Sequence, residues 1–289
     1  MKKINLTIFF YLLFYSILSH STNITGTFIG YESEKYVSIS LSNLSHNKII
    51  QSVYLKNGKL ELKIEEKLPA GIYRLIYSSF YKKGFFDIVI ENEIIINFKI
   101  DVNNVTPTPV FIISDKNKDW YEYKSELQKK INTIDKITQN IVLLKLNKNK
   151  EAEKLAIELN YLKQDFYEFK KEFISKKEFS IVGLYEKNFH SLFSNPNLDP
   201  KENLYQIKDV FFKDVNYYES LINTTLYNDL FFNYFSLCLK IDKDEFQINL
   251  EKNVKQIPEY LTENQTIRDI ISNILISNFQ IENEKTKIF

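Results

Sequence analysis

The sequence predicts an α+β chain of two domains, an N-terminal antiparallel β-sandwich followed by an all-α helical domain with a long helical hairpin. Apolar residues alternate with polar ones between Thr25 and Ser114, the repeat of strands with one buried and one wetted face. Beyond Asp119 they recur at spacings of three and four, the repeat of an amphipathic helix. Thr106-Pro107-Thr108-Pro109 stiffens the chain shortly before the repeat changes. The expected divisions are a signal peptide over 1–21, the β-sandwich domain over 22–114 and the helical domain over 115–289.

Lys2 and Lys3 precede an apolar run from Ile4 to Leu18, and small polar residues follow over Ser19–Thr22. This order reads as a secretory signal with cleavage near Ser19–Thr22. The fifteen residues of the run span roughly 22 Å as a helix, short of a ~30 Å hydrocarbon core. An uncleaved N-terminal anchor is the alternative. No later stretch holds 18 consecutive apolar residues, so the mature chain is expected without an integral span, exported and periplasmic or envelope-associated.

The first strand is expected over Thr27–Tyr31. Val37, Ile39 and Leu41 alternate with serines in the next, and Leu60, Leu62 and Ile64 alternate with Glu61 and Lys63. Further strands are expected over Ile50–Leu55, Ile72–Ser78, Phe85–Ile90, Ile94–Ile100 and Val110–Ile113. Asn57-Gly58 between Leu55 and Leu60 signals a hairpin, because both central residues of such a turn need positive φ. Pro69-Ala70-Gly71 and Asn92 mark further turns.

A helix is expected over Asp119–Lys145, with Leu127, Ile131, Ile134 and Ile141 inward, then a polar break over Asn147–Lys150. Leu155, Leu159, Leu162, Phe166, Phe169 and Phe173 then form the seam of a second arm. The mixed Lys/Glu stretch Glu168–Glu172 reads as a solvated face. A helix beginning near Phe179 is expected to carry His190, and Pro200 to open the next one. The remaining helices are expected over Lys201–Phe212, Tyr217–Asn223, Leu226–Ile241, Lys243–Lys255 and Ile267–Gln280.

Composition removes several chemistries. With 38 basic and 37 acidic residues the net charge is +1, and Arg74 and Arg268 are the only arginines, so nucleic acid is not an expected partner. His20, His46 and His190 are far apart in sequence with no metal-ligand spacing, and no metal or other cofactor is expected. No P-loop, dinucleotide fingerprint or nucleophile elbow occurs. The one cysteine, Cys238, sits between Leu237 and Leu239; a packed core thiol is the expectation, a lone reactive thiol the alternative. The many aromatics, such as Tyr227, Phe231, Tyr234 and Phe235, read first as core. Trp120, Tyr121 and Tyr123 fall at the predicted domain junction, where they are candidates for a ligand or partner surface, with packing as the alternative.

Ile24-Thr25-Gly26-Thr27, Asn57-Gly58-Lys59-Leu60, Pro69-Ala70-Gly71-Ile72-Tyr73-Arg74-Leu75 and Phe86-Asp87-Ile88-Val89-Ile90 occur in an order that resembles the β domain of unknown function in exported TlpA-like thiol–disulfide reductases. Ser114–Lys118 with Trp120–Tyr123, Phe211–Val215 and Leu221–Thr224 are similar to the helical linker domain of that family. The resemblance implies an envelope location and a thioredoxin domain carrying a Cys-x-x-Cys pair, which this chain is expected to lack. Exchange needs an attacking and a resolving thiol, and Cys238 has no second cysteine. The expected function is therefore that of a non-catalytic envelope protein acting as a binding or scaffolding module. The alternatives are an accessory half of a thiol–disulfide system with a thioredoxin-like partner, and a ligand-binding protein with its site at the domain junction.

Overall fold

The computed structural model describes residues 21–33, 37–43, 48–79, 82–189 and 192–281. The predicted signal segment up to residue 20, and with it His20, as well as His46 and His190, lie outside the described residues. The fold is α+β, and the chain divides into two compact units, Met1–Asp119 and Trp120–Phe289. Among the described residues no helix is long and apolar enough to cross a membrane.

The first unit contains β1 (Thr22–Ile29), β2 (Ser38–Asn43), β3 (Lys48–Tyr54), β4 (Lys59–Ile64), β5 (Gly71–Ser78), β6 (Lys83–Ile90), β7 (Ile95–Asp101) and β8 (Val110–Ile113). They form two four-stranded sheets, ordered β4-β1-β7-β8 and β3-β2-β5-β6. Alternation decides which side chains are inward: β4 buries Leu60, Leu62 and Ile64 and exposes Lys59, Glu61 and Lys63. Aromatic rings from both sheets meet, with Phe28 edge-on to Tyr77 at 5.7 Å and Phe86 edge-on to Phe98 at 4.9 Å.

Three expectations for this unit need correction. The strands are not all antiparallel, since β1 runs antiparallel to β4 but parallel to β7, with Ile24 opposite Ile96. Alternation is the same in both senses; direction is set by the connections, which carry the chain to the other sheet between β1 and β7. The first strand starts at Thr22 and ends at Ile29, earlier at both ends than expected. Asn57-Gly58 does adopt positive φ at both positions, 53° and 70°, and Lys56 and Lys59 exchange backbone hydrogen bonds of 3.0 Å. Yet β3 and β4, which it joins, belong to different sheets. The turn is a corner between sheets, and Gly58 accepts from the Phe28 amide at 2.7 Å.

Helix α1 (Asp115–Leu146) opens before the expected Asp119, because Ser114 caps it by accepting from the Asn117 amide at 3.3 Å. The second unit continues with α2 (Glu151–Lys176), α3 (Ile181–Asn188), α4 (Pro200–Asp209), a 3₁₀ turn (Glu219–Asn223), α5 (Leu226–Ile241), α6 (Leu250–Val254), α7 (Glu259–Thr262) and α8 (Gln265–Phe279). Heptad spacing links buried residues on both long helices, Leu127, Ile134 and Ile141 on α1 and Ala152, Leu159 and Phe166 on α2, while Leu155, Leu162, Phe169 and Phe173 of the expected seam are half-buried. Tyr123 stacks on Phe173 at 3.7 Å, and Lys130 pairs with Asp165. Tyr227, Phe231, Tyr234 and Phe235 of α5 are buried, and Phe232 is exposed.

Here too some boundaries differ. The expected helix over Lys243–Lys255 shrinks to α6, preceded by turns over 243–249. The helix expected to reach His190 ends at Asn188, with Phe189 in extended backbone as its C-cap. Tyr217–Asn223 is reduced to the 3₁₀ turn, whereas α7 was not expected.

Candidate functional site

The second unit carries a cleft of about 950 Å³. One wall is the end of α1, where Ile141-Val142-Leu143-Leu144-Lys145-Leu146 is apolar around most of the helix circumference. Only one stripe of a helix can face its core. Ile141 fills that stripe, and Val142, Leu143 and Leu146 are left 43%, 58% and 75% exposed. Residues at i, i+3 and i+4 share a face, so these three make one patch. Leu198 from the following loop and Leu204 and Ile207 from α4 form the facing wall.

The loop over 192–199 lacks regular structure but is tied on several sides. Lys145 Nζ donates to the Pro196 carbonyl at 3.2 Å and to Asn197 Oδ1. Lys163 Nζ donates to the Ser194 carbonyl at 3.1 Å. The Asn195 amide donates to Asn203 Oδ1 at 3.0 Å, and Asn203 Nδ2 returns a bond to the Asn195 carbonyl at 3.1 Å. Asp199 then caps α4 by accepting from the Lys201 and Glu202 amides at 2.8 and 3.0 Å, with Pro200 at the first helical position. The wall is therefore built before any ligand arrives.

A second cavity of about 380 Å³ shares Ser194, Leu204 and Ile207 with the first. Among the described residues Lys145 is the charged residue lining the larger cavity and Lys240 the one lining the smaller, and neither lining contains a carboxylate. Apolar walls with amides, hydroxyls and a cation can bind and orient a ligand.

Trp120, Tyr121 and Tyr123 lie on the first turns of the second unit. Trp120 and Tyr123 are buried, 2% and 4% exposed, and Tyr121 is half-buried. Their surroundings are polar as well as aromatic. Tyr123 donates to Glu186 Oε2 of α3 at 3.2 Å, and burial, with the Glu186 carboxylate beside it, pushes its hydroxyl up. Glu186 is 3% exposed, and burial pushes its carboxyl up against the opposing pull of Lys170, Tyr123, Lys124 and Trp120. The buried Trp120 indole N–H points toward no acceptor within hydrogen-bond distance and angle, and Glu186 is the carboxylate whose charge it favours. Lys170 of α2 donates to the Phe189 carbonyl, and burial pushes its ammonium down. Lys170 is thus buried, a correction to the solvated face expected over Glu168–Glu172.

Cys238 is 3% exposed on α5, with burial holding its thiol above the ordinary cysteine range despite Lys208 and Tyr234 nearby. A buried, protonated thiol reacts slowly, because the thiolate is the nucleophile. Native protein should therefore react with a disulfide dye at least tenfold more slowly than the same protein in denaturant; equal rates would show an accessible thiolate.

Among the described residues no group of three or more His, Cys, Asp or Glu side chains is placed to hold a metal ion. No family model, curated protein or solved structure matches the chain. The inward stripe of α1 alone does not reveal the cleft. Its signal was present in the run of apolar residues over 141–146.

Proposed function

We propose that this protein is a non-catalytic, exported cell-envelope module that works by binding, with the cleft between the end of α1 and α4 as its site. The observation that carries this reading is the exposure of Val142, Leu143 and Leu146 on a rim whose loop is already fixed by hydrogen bonds. Wetted apolar side chains opposite a second apolar wall are the usual form of a ligand site. In the same reading the first unit is a β-sandwich, supported by the rings shared between its sheets. The long helices form an antiparallel hairpin, supported by Tyr123 meeting Phe173 while Lys130 meets Asp165.

A neutral naphthylamine dye, fluorescent only in apolar surroundings, tests the site. One saturable binding event is expected in the native protein, weakened at least tenfold in Leu146→Asp with the melting temperature unchanged. Absence of saturable binding, or dye affinity indifferent to Leu146→Asp, would remove the reading.

A further inference from the structure

We infer that the cleft takes a single-chain amphiphile with an anionic head, its acyl tail along the apolar walls and its head on Lys145. This rests on the cleft being a binding site, and three features of its lining narrow the ligand.

The first is charge. Lys145 is the charged lining residue, and both of its acceptors, the Pro196 carbonyl and Asn197 Oδ1, are neutral. They position the ammonium without neutralising it, and two bonds leave one of its three N–H groups to donate. An anionic oxygen is the acceptor that such a donor favours most.

The second is the chemistry of the walls. Val142, Leu143, Leu146, Leu198, Leu204 and Ile207 are aliphatic, and among the described residues no aromatic ring lines the cleft. In a chain with 23 Phe and 19 Tyr that composition is informative. Sugars and nucleobases are held by stacking on rings, whereas a flexible methylene chain packs well on branched aliphatic side chains. The third is size. A volume of about 950 Å³ lies at the upper end of the range of roughly 300–1,000 Å³ for small-molecule sites. That leaves room for a long tail.

Displacement of the naphthylamine dye tests the assignment, using octanoate, decanoate, dodecanoate, dodecyl phosphate, dodecanol and dodecyltrimethylammonium below their micellar concentrations. Affinity is expected to rise about fourfold per added methylene. Dodecanoate or dodecyl phosphate should bind up to about fivefold more tightly than dodecyltrimethylammonium, the upper end for an exposed ion pair. The comparison of the two anions distinguishes a fatty carboxylate from a phosphate-headed lipid. Lys145→Met should abolish the anion preference, so that dodecanoate and dodecanol bind that variant alike; Lys145→Arg, which keeps the charge, should retain it. Equal binding of anion and cation, both blocked by Leu146→Asp, would overturn the anionic assignment and leave the cleft as a site. Dye binding without displacement by any amphiphile would overturn the ligand class. Loss of dye binding itself would instead remove the underlying reading.

Discussion

Lys170→Met should destabilise the folded protein by about 3–5 kcal/mol at neutral pH, the range for removing one member of a buried charged group. Lys170 is 9% exposed, its ammonium donates to the Phe189 carbonyl, and its field opposes the upward push that burial exerts on Glu186. Methionine fills much the same volume but supplies neither charge nor donor. Glu186 would then be buried beside the Tyr123 hydroxyl with its strongest cationic neighbour gone.

The pH dependence has a definite sign. A carboxyl whose folded pKa lies above its unfolded value binds more protons in the native state between the two, so stability falls as pH rises through that window. Lys170→Met raises the folded value of Glu186 further. The variant should therefore regain part of its loss on acidification, and Lys170→Met combined with Glu186→Gln should recover at least half of it at neutral pH. Denaturant unfolding at several pH values measures both. A single-variant loss under 1 kcal/mol, independent of pH, would show that Lys170 and Glu186 are solvated.

Asn117→Ala should cost about 2–4 kcal/mol, since buried backbone groups left without partners each cost roughly 1–3 kcal/mol. β6 is an edge strand, and the Asn117 amide acts as its missing neighbour. Asn117 Oδ1 accepts from the Val89 amide at 2.7 Å, and Nδ2 donates to the Val89 carbonyl at 2.8 Å and to Ser114 Oγ at 2.8 Å. Asn117 and Val89 are both fully buried, so water cannot replace these bonds. The same first turn places Lys116 beside Glu91, 3.2 Å away, and lets Ser114 donate to Glu93. Asn117→Asp should be at least as damaging, because it keeps the acceptor and turns the donor into a repulsion. A shift below 0.5 kcal/mol in either variant would mean that the edge of β6 is satisfied without this side chain.

Both cases show where the sequence is informative. Alternation identifies the inward face of β4, and heptad spacing identifies Leu127, Ile134 and Ile141, because burial acts on every residue of a regular element. Strand direction has no such signature, so the parallel pairing of β1 with β7 was not legible. Asn57-Gly58 specifies its own backbone but not which sheet the following strand joins. Asn117 stands among the polar residues Asp115, Lys116, Lys118 and Asp119, which match a solvated helix face, and Lys170 and Glu186 are charged residues that a solvated face would also carry. Their burial depends on contacts from other elements, which local periodicity cannot report.

The cleft lies between these extremes. The apolar run at the end of α1 exceeds what one stripe can bury, and that excess is visible in the sequence; its facing wall depends on how the tied loop returns α4 to α1.

The most direct measurement is a methyl-labelled NMR titration of the protein with dodecanoate. Binding in the cleft predicts saturable shifts at the methyl groups of Val142, Leu143, Leu146, Leu198, Leu204 and Ile207, with Ile24 and Ile96 in the first unit unmoved. Saturable shifts elsewhere, with these six unchanged, would contradict it.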